Sequence, residues 1–160
     1  MGKASSILSV LLSKSLGLLV FLLFIAVANL MVLFIVHPLF LSIVSFLNSN
    51  LLLIIALSIV FLIHELFDIL DFPMNLPGPL FGAGATVIFM IFAFNLADFV
   101  YLVSREPLFK FYKPYEEAIL ILVFVITLLA GYLGLMRRFM FNRKTGGGKK
   151  TIEYRDMDYY

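Results

Sequence analysis

Two polar groups interrupt a chain that is otherwise mostly hydrocarbon. The first is Ile63-His64-Glu65-Leu66-Phe67-Asp68-Ile69-Leu70-Asp71. On a helix, His64, Asp68 and Asp71 fall within about 60° of one face, with Glu65 about 100° away. An imidazole and two carboxylates on one face form a donor set for a divalent cation. Histidine also titrates near neutral pH, so the same face suits proton transfer. His64-Glu65-x-x-Asp68 carries Asp at the second ligand position of the His-Glu-x-x-His zinc-protease motif. No further ligand can be placed beside it from the sequence. The simpler reading is a polar helix end that meets water and fixes the depth of a membrane span.

The second group is Asn95, Asp98, Tyr101 and Arg105. Their spacing places all four on one helical stripe. Asp98 falls roughly 7–8 Å inside the end of its apolar run, and Asn29 of the first run is expected at a similar depth. A carboxylate at membrane depth is costly, so it must face the bundle interior, a partner or a polar cavity. Arg105 lies one to two turns above, and its side chain can reach down towards Asp98. The functional reading is a proton or ion site, or a head-group pocket. The structural reading is a polar clamp that sets helix register.

Composition identifies the solvent. The chain has 160 residues, 62% hydrophobic and 14% charged, with mean hydropathy +1.07. Soluble domains are about 45–50% apolar and about 25% charged, so both departures point to lipid. Cysteine is absent, which excludes disulfides, thiolate metal sites and covalent haem attachment. His37 and His64 are expected at opposite membrane faces, so they do not bracket a haem. No cofactor or resident metal is expected. A glycine-rich phosphate loop and a specifically placed Ser-His-Asp set are both missing from the sequence, so the expectation is a protein that is not an enzyme.

The elements that must position these residues follow from run lengths. Residues 1–15, with Lys3 and Lys14, form a short lead-in, followed by an uncleaved first span at 16–36. A run of this length in helix covers about 30 Å, one hydrocarbon core. His37-Pro38 breaks the pattern, because a residue before proline is pushed out of the α region. Residues 38–47 are too short to span and are expected as an interfacial helix. Further spans are expected at 51–67, 80–103 and 117–136. Three prolines and a glycine make Asp68–Pro79 a turn. Residues 137–160 form a basic, Tyr-rich tail behind a Thr145–Lys150 glycine linker. The expected fold is all-α: an integral membrane four-helix bundle with a short interfacial helix after the first span. One domain, 16–136, holds all four spans.

Orientation follows from the basic residues. Four spans put both termini on one side, together with nine Lys and Arg: Lys3, Lys14, Arg137, Arg138, Arg143, Lys144, Lys149, Lys150 and Arg155. The other side holds three: Arg105, Lys110 and Lys113. Basic residues accumulate on the cytoplasmic side, so both termini are expected there. The basic tail is a topology anchor that attracts anionic lipid, and no nucleic acid is expected as a partner.

Small residues recur in the third span (Gly82, Ala83, Gly84, Ala85, then Ala93 and Ala97) and in the fourth (Ala130 and Gly134). Such stripes let helix backbones approach closely. They give more close-packing surface than one bundle needs, which makes other membrane subunits, or further copies of this chain, the expected partners. The function this supports is a non-catalytic accessory or assembly subunit of a larger membrane complex. An alternative is a homo-oligomeric ion- or proton-coupled carrier or channel using Asp98. A remote alternative is a metal-dependent membrane enzyme using His64.

Overall fold

A computed structural model describes residues 3–70 and 73–146. Asp71 and the tail beyond Gly146 lie outside the described residues. The architecture is an all-α four-helix bundle. Five helices follow in order: α1 (Lys3–Met31), α2 (Pro38–Ser49), α3 (Leu51–Ile69), α4 (Gly78–Ser104) and α5 (Glu116–Gly146). Two short 3₁₀ turns, Pro107–Lys110 and Lys113–Tyr115, link α4 to α5. The long helices α1, α3, α4 and α5 are each long and apolar enough to cross a membrane. By length and composition the molecule is a multi-pass membrane protein.

α1 departs from the expected 16–36 span. It starts at Lys3, with no break between lead-in and span, because nothing in Ala4–Ser15 terminates a helix. It ends at Met31, short of Val36. Tight bonds from Leu33 N to Leu30 O (3.1 Å) and from Phe34 N to Met31 O (3.0 Å) close its last turn. His37 is then extended (φ −80°, ψ 126°), as the following Pro38 requires. The apolar residues Leu33, Phe34 and Val36 thus form an exposed connection.

α2 covers the expected short helix and runs on to Ser49. Asn50 is at once the C-cap of α2 and the N-cap of α3. A single residue therefore turns the chain from the short helix into the second span. α5 also outruns its expected end at Met136. Arg137 to Lys144 are mostly residues that favour helix, and no proline intervenes, so the helix continues to Gly146.

α4 lies between α3 and α5 and packs most extensively on both, while α1 packs chiefly on α3. Close packing in this core comes from small side chains. Ala83 and Ala85 are fully buried. A Cβ on Gly131 of α5 would lie 2.8 Å from Cβ of Pro79, and one on Gly82 would lie 3.0 Å from Cε1 of His64. Stacked rings add cohesion, with Phe67 and Phe81 at 5.4 Å and Phe46 and Phe99 at 4.7 Å between centroids. Outside this seam large apolar side chains are exposed along α1 and α5, as helices bathed in hydrocarbon require.

Candidate functional site

The four residues grouped at the end of α3 do not converge. His64 donates from Nδ1 to the carbonyl of Gly78 at 2.8 Å. That carbonyl opens α4, and Gly82, one turn on, leaves room for the imidazole. Glu65 points about 100° away and pairs with Lys14 of α1 at 2.6 Å. Asp68 pairs through Oδ1 with Nη1 of Arg138, on α5, at 2.7 Å. One short helix end is thus tied to three different helices. Among the described residues no three His, Cys, Asp or Glu side chains come together as a metal site. What this arrangement does is hold the bundle at one end.

The second set divides as well. Asn29 bonds to α2 and not to Asp98. It forms a reciprocal amide pair with Asn48, at 2.7 and 3.0 Å, joining α1 to α2. Asn95 donates to Oδ1 of Asn50 at 2.8 Å. The amide of Asn50 in turn donates to the carbonyl of Phe46, so this buried side chain joins α2, α3 and α4. Asp98 pairs through Oδ2 with Lys113 at 3.1 Å, and Lys113 also meets Glu116 at 2.9 Å. Lys113, rather than Arg105, is thus the cation on Asp98. Arg105 caps α4 in the left-handed region (φ 63°), with its N–H on Tyr101 O at 2.8 Å. That turn takes its backbone off the helical stripe. Tyr101 instead lies beneath Lys110, whose Nζ is 4.3 Å from the ring centroid.

The connection between α4 and α5 is held by a residue that the sequence did not single out. Tyr112 is buried, stacks on Phe94 with centroids 4.5 Å apart and donates its hydroxyl to Phe94 O at 2.8 Å. It folds the loop back over α4 and so delivers Lys113 to Asp98. Asn48 and Asn50 were likewise missed as partners, because their setting reads as an ordinary polar turn.

Asn95 and Asp98 do remain together. They line a lateral groove of about 400 Å³ with Phe46, Ser49, Asn50, Phe99 and Leu102. Oδ1 of Asp98 is buried there and accepts no hydrogen bond among the described residues, because the Tyr112 hydroxyl beside this carboxylate gives its proton to Phe94 O. The groove therefore offers one unsatisfied carboxylate oxygen among polar and aromatic side chains, a setting that favours a donor from outside. The chain matches no protein-family model, no curated protein and no solved structure.

Proposed function

We propose that this protein is a non-catalytic subunit of a larger membrane assembly, with both termini on the cytoplasmic side. The observation that carries the reading is Asp98 Oδ1, buried in a side-facing groove without a donor. Lys113 answers the charge through Oδ2, but a buried polar atom left without a partner is still costly. A helix from another subunit that brings a hydroxyl, amide or cationic donor removes that cost. The small residues support the reading less than their number implies, since Ala83 and Ala85 are buried and Gly82 and Gly131 meet His64 and Pro79 within the chain. The groove takes over that part of the argument. The non-catalytic part is supported by the dispersal of His64, Glu65 and Asp68 onto three helices.

The test is purification in mild detergent at native expression level, with a photo-crosslinking residue at the exposed Leu102. The expected result is a co-migrating second chain crosslinked through the groove and lost in Ser49→Trp. A lone species of one 18.1 kDa chain plus detergent, unchanged by gentler extraction, overturns the reading. The same unpaired carboxylate oxygen favours a second reading, in which the partner is another copy and Asp98 couples ion or proton movement. Flux through reconstituted vesicles, lost in Asp98→Asn, is its expected signature, and absence of flux in the unaltered protein removes it.

A further inference from the structure

At the opposite end of the bundle, a cavity of about 300 Å³ lies between the end of α3, the turn before α4 and α5. Its polar lining comes from Asp68, Asn75, Tyr132 and Arg138. The remainder is apolar and includes Leu135 and Met136. A second cavity of about 280 Å³ adjoins it, sharing Asp68, Leu135 and Arg138. We propose that the first cavity binds the head group of a phospholipid bearing a primary ammonium, a phosphatidylethanolamine.

The charges and donors of the lining match that head group. Arg138 spends one guanidinium nitrogen, Nη1, on Asp68 and retains N–H donors for a phosphodiester. Asp68 Oδ1 takes that bond, which leaves a second carboxylate oxygen to accept. Oδ1 of Asn75 is buried and accepts no hydrogen bond among the described residues. The lining therefore presents a cation, an anion and a bare neutral acceptor. A lipid carrying only negative charge answers the cation alone. A quaternary ammonium has no N–H to give. A primary ammonium has three donors, enough for Asp68 and Asn75, while its phosphate meets Arg138. The volume lies at the low end of the roughly 300–1,000 Å³ of ligand sites, which suits a head group and the first carbons of its chains. Leu135 and Met136 line the wall along which those chains leave. The site sits at the end of the helices where Arg137 and Arg138 cluster, which is head-group depth.

The experiment uses the full-length protein in mild detergent, with phosphatidylethanolamine, phosphatidylcholine and phosphatidylglycerol of identical acyl chains offered in equal amounts. Lipid retained per protein is then measured. Phosphatidylethanolamine is expected to exceed each of the others by about tenfold, the effect of one good charge-assisted bond. Asn75→Ala and Asp68→Asn are expected to reduce that preference, and Arg137→Gln, outside the cavity lining, to keep it. A size-exclusion profile confirms that each variant is folded. Asn75 makes no side-chain bond that its Oδ1 would lose, so Asn75→Ala remains informative should Asp68→Asn fail to fold. Equal retention of the three lipids overturns the proposal. So does an unchanged preference in folded Asn75→Ala. Competition by soluble phosphoethanolamine at the same concentration as the lipid also overturns it, because the apolar wall would then contribute nothing.

Discussion

Asn50 illustrates how much one side chain does here. Only 6% of its surface is exposed. It gives a hydrogen bond to Phe46 O and takes one from Asn95. Asn50→Ala removes both bonds and strands the Asn95 amide, so unfolding in detergent is expected to become easier by about 1–3 kcal/mol. Asn50→Asp keeps an acceptor and is expected to lose less. Arg105 makes the contrasting case. Its left-handed backbone (φ 63°) is unfavourable for a residue with a Cβ. Arg105→Gly is expected to stabilise the fold by up to about 1 kcal/mol, read as a higher melting temperature. A loss of stability would mean that the guanidinium holds something the cap geometry does not reveal. The polar residues that matter were readable in Asn29, Asn95 and Asp98, because each interrupts an apolar run. Their partners were not. Asn48, Asn50, Tyr112 and Lys113 lie in turns where polarity is ordinary, and pairing is fixed only when helices distant in sequence come together.

The spans themselves were readable, since a helix crossing hydrocarbon needs an unbroken apolar run. Helix ends were less so. At Met31 the chain stops helical winding while still apolar, because the proline ahead and the Asn29–Asn48 pair govern the turn. At the far end α5 passes out of its apolar run without a breaker. The packing of α5 on α4 can be tested with two glycines one turn apart. Gly131→Ala puts a methyl 2.8 Å from Pro79 and is expected to destabilise by about 1–3 kcal/mol. Gly134→Ala meets nothing within 4 Å and is expected to be neutral or to stabilise by up to about 1 kcal/mol. Thermal unfolding of the two variants side by side checks the pairing. Equal effects would mean that α5 is rotated from the position described.

For the molecule entire, sidedness is the open quantity that a cysteine-free chain makes easy to measure. Single cysteines at Phe109 and Gly147 are expected to label from outside and only after lysis, respectively, in intact cells. The reverse pattern inverts the topology. The count of long apolar helices was readable in the sequence, since it depends on composition and run length. The sequence could not assign a role, because that depends on which faces remain unsatisfied after folding. The tethers at the end of α3 also impose an order in time. A chain is made from its N-terminus. Lys14 is already present when Glu65 emerges, and Gly78 follows His64 by 14 residues. Arg138, the partner of Asp68, arrives 70 residues later. Until then this end of α3 is fastened on two sides and open on the third, and the small-residue seam against Pro79 is uncovered. Docking of α5 is therefore the closing event of biogenesis. A chain stopped before Glu116 is expected to insert but to be cleared by membrane proteolysis faster than the complete protein, which pulse-chase labelling would read directly. Supplying α5 as a separate segment is expected to slow that clearance, and Arg138→Ala in the segment to weaken the rescue.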